Sequence, residues 1–111
     1  MKVLLTNAPQ IWQIWLAYVR FADNPSIGKV RPIVILDHED EHYIVAKITT
    51  ALPSSKFSYC ELVYWEDEGL LKPSRVQVSP LFRIAEVDII NDAPLGVLHE
   101  ADRDALMDAL Q

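Results

Sequence analysis

A chain of 111 residues, half of them hydrophobic, supports one domain with a single core and is too apolar for disorder. Its net charge of −6 argues against a surface that binds nucleic acid by bulk positive charge, and its single cysteine, Cys60, excludes an internal disulfide. A lone cysteine is at home in a reducing cytoplasm.

The charge is uneven. Residues 1–36 hold four bases and one acid (+3), whereas residues 37–111 hold six bases and fifteen acids (−9). The acids gather in Asp37–Glu41, Glu66–Glu68 and the tail from Glu86, which leaves room for a local basic patch. Met1 to Leu5 is slightly apolar but is broken by Asn7, Pro9 and Gln10 before it reaches signal-peptide length. No run approaches the ~18 apolar residues of a membrane span.

In chain order, Trp12 to Phe21 alternates as a strand, apolar on most of both faces. Residues 22–30, punctuated by Asn24-Pro25 and Gly28, read as a candidate lid or binding loop. Arg31 to Leu36 is a near-continuous apolar strand, expected to be buried on both faces. Asp37 to Glu41 is a polar turn, and His42 to Thr50 a third strand that sets Tyr43, Val45, Lys47 and Thr49 on one face. Ala51 to Lys56 is a second loop, and Phe57 to Trp65 a fourth strand.

After a turn at Glu66 to Gly69 and a non-helical Lys72-Pro73-Ser74, Arg75 to Ser79 forms a fifth strand. Pro80-Leu81 makes a corner, and Phe82 to Ala85 a short sixth strand. Val87, Ile89 and Ile90 suggest a short helical turn, ended by Pro94 and Gly96. Glu100 to Leu110 is a helix with Ala101, Ala105, Leu106, Ala109 and Leu110 as its apolar stripe. Glu100 and Asp102 sit where the helix dipole favours acids. Consecutive strands without intervening helices predict a small antiparallel β-barrel with a C-terminal helix, in one domain spanning residues 1–111.

Chemistry-bearing residues are few. Asp37 to His42 reads as a solvated turn, because ligand-type residues this tightly spaced cannot all converge on one ion. No metal motif, phosphate-cradling glycine loop or Ser-His-Asp arrangement stands out, and no cofactor is implied. Cys60 reads as a buried hydrophobe. The pairing of strands two and three across a five-residue turn is more informative. It brings Arg31, at the start of one, to Thr49, at the end of the other. Pro32 biases Arg31 toward extended geometry, and a guanidinium beside a hydroxyl at a sheet edge makes an anion or phosphate site. Lys29 and Lys47 flank it.

These features together resemble the MazF/PemK family of type II toxin–antitoxin toxins. The matching residues are Gly28-x-x-Arg31-Pro32 with Ile33-Val34-Ile35-Leu36, Ile48-Thr49, Gly69-Leu70-x-Lys72-Pro73-Ser74 with Val76, Leu98-x-x-x-Asp102, and Ile14-Trp15-Leu16 in the opening strand. The resemblance implies an SH3-like β-barrel, a cytoplasmic homodimer, and metal-independent cleavage of single-stranded RNA. It also implies neutralisation by a cognate antitoxin. It makes Arg31 and Thr49 the catalytic pair; Lys29, Lys47, Thr50, Arg75 and Gln77 are expected as substrate-binding residues around them.

There are departures. Trp12-Gln13 stands where the family has Gly-Asp or Gly-Glu, Gln77 and Ser79 stand where some members carry an acid–base Arg and Asp, and His99 stands where a Ser or Thr cap is expected. Arg75 lies on the same strand face as Gln77 and is the candidate to replace the missing arginine. Two non-enzymatic alternatives share the fold: a CcdB-like gyrase poison, whose Trp-Gly-Ile terminus is missing here, and an inactive SH3-like protein-binding domain.

Overall fold

The computed structural model describes residues 8–21 and 23–111. Met1 to Leu5 and Ala22 of the first loop lie outside the described residues. Six antiparallel strands form one curled half-barrel sheet: β1 (Gln13–Arg20), β2 (Gly28–Glu39), β3 (His42–Thr49), β4 (Ser58–Glu61), β5 (Arg75–Ala85) and β6 (Gly96–Val97). The spatial order is β4-β5-β3-β2-β1-β6, followed in sequence by the helix α1 (Glu100–Ala109). The mainly β, SH3-like architecture with one C-terminal helix is the one expected from the sequence.

The sheet buries both of its faces, so the central strands read as nearly continuous apolar runs. On one face Ile14, Val34, Ala46, Ile48, Val76 and Val78 pack with Leu98 and Leu106 of the helical end. On the other, Trp15, Ala17, Val19, Ile33, Ile35, Tyr43, Val45 and Ile84 form a second cluster. Period-two alternation within β1, β2 and β3 divides the residues between the two.

Several boundaries differ from the sequence reading. β2 begins at Gly28, because Gly28, Lys29 and Val30 pair with Arg20, Val19 and Tyr18. The first loop is correspondingly short. β2 also runs on through Glu39: Asp37, His38 and Glu39 pair with Ile44, Tyr43 and His42 beyond a bulge, which leaves only Asp40 and Glu41 to turn. The expected fifth and sixth strands are one strand. β5 pairs Phe82 with Val45 and Gln77 with Lys47, so the residues between Gln77 and Phe82 bulge out of the β3 ladder. Pro80, which has no N–H to give that ladder, sits in the gap.

β4 stops at Glu61, not Trp65. Leu62 still donates its N–H to the Ser74 carbonyl at 3.0 Å. The next two N–H groups, of Val63 and Tyr64, go instead to the carboxylate of Asp102, which ends the ladder.

The helix stripe also differs. Asp102 and Leu106 are the buried positions and Leu110 is half-buried, while Ala101, Ala105 and Ala109 are exposed. Three small alanines contribute little area, and the polar residue facing inward is held by hydrogen bonds. His99 does cap the helix: its Nδ1 accepts the N–H of Ala101 at 3.1 Å. Val87, Ile89 and Ile90 fall around a single 3₁₀ turn, Glu86–Asp88, and Val87 is exposed. No helix is long and apolar enough to cross a membrane among the described residues.

Candidate phosphate-binding site

The ladders order the candidate residues into rows. Ile33 pairs with Lys47, so the same register carried two residues further sets Arg31 opposite Thr49. Arg31 pairs with Ala17 on its other side, and Thr49 pairs with Arg75 of β5, which in turn pairs with Glu61 of β4. One row across the sheet therefore reads Ala17, Arg31, Thr49, Arg75, Glu61. The next reads Trp15, Ile33, Lys47, Gln77, Tyr59. Lys29 begins a third row, opposite Val19. Rows two residues apart share a face, so Lys29, Arg31, Lys47, Thr49, Arg75 and Gln77 all lie on one side of the sheet at one end.

Two depressions open there. The first, of about 190 Å³, is lined by Lys29, Val30, Arg31, Pro32, Ile48, Thr49, Thr50 and Ser74. It has no histidine or carboxylate among its described lining residues, so it is a cationic and hydroxylic cavity suited to an anion. The second, of about 360 Å³, contains Arg31, Lys47 and Gln77 with Arg20, Asp23 and the rings of Phe21, Phe57 and Phe82. Arg31 belongs to both and forms the wall between them.

The local chemistry is cationic. Arg31 is half-buried and pairs with no carboxylate among the described residues. Burial, and then the Arg31 charge, hold the Lys47 ammonium below the ordinary lysine range. An anion placed between them would relieve that repulsion. The Lys47 ammonium also lies 5.9 Å from the centre of the Phe82 ring. The Thr49 hydroxyl accepts the N–H of Ala51 at 3.1 Å, which leaves its own proton to donate. Gln77 is buried, with its side chain at the edge of the larger depression.

Arg75 is placed differently from the other candidates. Its Nε and Nη2 donate to Glu61 Oε2 and Oε1 at 2.6 and 3.1 Å, and its Nη1 donates to the Ala51 carbonyl. It lines neither depression. Each of its three nitrogens already makes a contact, so three of its five N–H donors are committed within the protein. Thr50 lies on the rim of the smaller cavity, exposed, one residue past β3. The three phenylalanines and Ser74 are lining residues that sequence reasoning passed over. Phe57 and Phe82 stood beside the loop and the Pro80 corner, where an aromatic ring next to a strand end was the available signal.

Elsewhere, Cys60 is free and buried, and burial with the nearby Asp102 and Glu61 charges pushes its thiol up, away from nucleophile character. No cluster of three or more His, Cys, Asp or Glu side chains is arranged to hold a metal ion among the described residues.

Among solved structures, the chain is similar to the Mycobacterium tuberculosis toxin MazF-mt6, with 26% identity over 88% of this chain and 91% of that one, and a TM-score of 0.67. No family model matches the chain, and no curated protein does. The fold is MazF-like, and the resemblance read from the sequence is supported by the three-dimensional match.

Proposed function

We propose that this chain is the endoribonuclease toxin of a type II toxin–antitoxin system, acting in the cytoplasm as a homodimer and cutting single-stranded RNA without a metal ion. The observation that carries the reading is that Arg31, with no carboxylate partner among the described residues, and Thr49 line one cavity just beyond the end of the β2–β3 ladder, with no carboxylate among its described lining residues. The MazF-like fold supports the same reaction class.

RNA supplies its own nucleophile. The 2′-hydroxyl attacks the adjacent phosphorus as the bond to the 5′-oxygen breaks, leaving a 2′,3′-cyclic phosphate and a 5′-hydroxyl. The 2′-proton leaves with a base, and the 5′-oxygen takes a proton. Negative charge builds on the non-bridging oxygens in between, and a preorganised guanidinium stabilises it. Arg31 has that role. The Thr49 O–H, its oxygen already bonded to Ala51, donates to a phosphoryl oxygen and fixes the group in the cavity. Lys29, Lys47 and Thr50 hold flanking phosphate and ribose, and Gln77 faces a neighbouring base. A cognate antitoxin, richer in acidic groups than this edge, would cover the same cations.

The test is cleavage of a fluorescent single-stranded RNA by the purified wild type and Arg31→Ala, each with and without chelator. Cutting that persists in chelator and drops at least ~100-fold in the variant supports the reading. Intact RNA, or equal cutting by both proteins, sinks it and leaves a non-enzymatic binding domain as the alternative.

A further inference from the structure

We propose that Arg75 is a positioning residue for Thr49, acting through the backbone of Ala51, whose carbonyl and N–H flank its Cα; the role rests on the nuclease reading above. The contacts form a relay. The Glu61 carboxylate takes Nε and Nη2 of Arg75 in a fork, so the guanidinium plane is set. Nη1 then donates to the Ala51 carbonyl. The N–H of the same residue donates to Thr49 Oγ1 at 3.1 Å. Both ends of the relay are anchored by the sheet, because Arg75 is the cross-strand partner of Thr49 on one side and of Glu61 on the other.

Ala51 needs such an anchor. It is exposed and lies just beyond the last residue of β3. The other hydrogen bonds of this loop tie Ser54, Lys56 and Phe57 to one another or to Tyr59, and none reaches Ala51. Without the guanidinium, φ and ψ of Ala51, which link its carbonyl to its N–H, are no longer held, and the N–H no longer selects one rotamer of Thr49. A hydroxyl that samples several rotamers presents its proton to a phosphoryl oxygen only part of the time. Arg75 thus acts from behind the site. Its charge is already balanced by Glu61, which separates it from Arg31 and Lys47, whose charges remain available to an anion.

A substrate contact and a positioning role predict opposite kinetics. Steady-state cleavage of the fluorescent RNA by wild type, Arg75→Ala and Arg75→Lys separates them. The relay predicts that Arg75→Ala lowers kcat roughly tenfold, with KM changed less than about twofold. Arg75→Lys keeps one of the two contacts but loses the fork, and recovers part of kcat. A raised KM with kcat unchanged overturns the proposal, as does Arg75→Lys no better than Arg75→Ala.

A second readout needs no activity. In nuclear magnetic resonance spectra, the relay predicts one Thr49 χ1 rotamer and a protected Ala51 amide in wild type. Arg75→Ala gives an averaged rotamer and faster Ala51 exchange. If the wild type leaves RNA intact, the nuclease reading fails and this measurement still decides the relay. Thr49 and Ala51 signals unchanged by Arg75→Ala overturn it.

Discussion

Asp102 and Tyr64 stand 38 residues apart in the chain, and the carboxylate of the first accepts the backbone N–H of the second at 2.9 Å. Its other oxygen accepts the N–H of Val63 at 3.0 Å. A helix side chain thereby takes over the two donors that β4 would otherwise present to a ladder, and docks α1 against the β4–β5 connection. Removing the carboxylate leaves both donors without their protein partner. Asp102→Ala is expected to cost about 2–3 kcal/mol in urea unfolding. Asp102→Asn, which keeps an acceptor but loses the charge, falls between. A loss below about 0.5 kcal/mol in the alanine variant would refute the docking role.

Glu68 packs against this carboxylate and is fully buried. Its Oε2 accepts the N–H of His99 at 2.8 Å, and its Oε1 has no partner among the described residues. With a proton on Glu68, Asp102 becomes the acceptor. Burial, aided by the charges of Asp102 and Asp67, raises the Glu68 carboxyl to about 7. In the unfolded chain the same group titrates near ~4.3. Between these values the folded state holds a proton that the unfolded state has released, so stability falls as pH rises from about 4.3 to 7 and is flat above. The full loss is about 4 kcal/mol. Glu68→Gln keeps an acceptor for His99 and a permanent donor for Asp102. It should match wild type near pH 4.5 in unfolding experiments and exceed it at pH 8. Parallel curves for the two proteins over this range would contradict the assignment.

The contrast between these acids and the candidate site shows what a sequence carries. The placement of Arg31 and Thr49 at one end of the sheet was legible because a short turn and period-two alternation fix which residues of a hairpin come near each other, and both signals are local. The apolar runs that mark β1, β2 and β3 are local too. Asp102 broke the reading of β4 and of the helix stripe for the opposite reason. Its partners lie in another element, and nothing in the spacing of Val63, Tyr64 and Asp102 announces a hydrogen bond. Arg75 was legible as a cation on the right face but not as one already held, since Glu61 sits fourteen residues earlier on a different strand. Where β5 continues past Pro80, the bulge opposite β3 absorbed the proline that had suggested a corner.

Lys47 provides a test of the electrostatics that is independent of the chemical step. It is half-buried beside Arg31, on the shared face. If it holds a flanking phosphate, Lys47→Gln should weaken binding of a non-cleavable single-stranded RNA. The slope of log affinity against log salt should shrink by about 0.7, the value for one phosphate contact on a single strand. Lys72, exposed and outside both depressions, serves as the control, and Lys72→Gln should leave the slope unchanged. A slope that ignores Lys47 would move the binding path away from the larger depression.

The turn that carries Glu68 depends on two glycines. Gly69 has φ +86°, a left-handed conformation that costs an alanine, and a Cβ there would strike the Leu95 carbonyl. Across the same contact, a Cβ on Gly96 would strike the Glu68 carbonyl. Two backbones meet without a side chain between them, which is how the Glu66–Gly69 turn is pressed against β6. Gly69→Ala combines strain with a clash between backbone atoms, neither of which can swing aside, and is expected to destabilise by about 2–4 kcal/mol. Gly96→Ala carries only the clash and should cost less. Both substitutions lie at the helical end of the sheet, away from Arg31 and Thr49, so kcat per folded molecule should stay at the wild-type value while the unfolding midpoint drops. If Gly69→Ala folded with undiminished stability, the close approach of the turn to β6 would have to be abandoned.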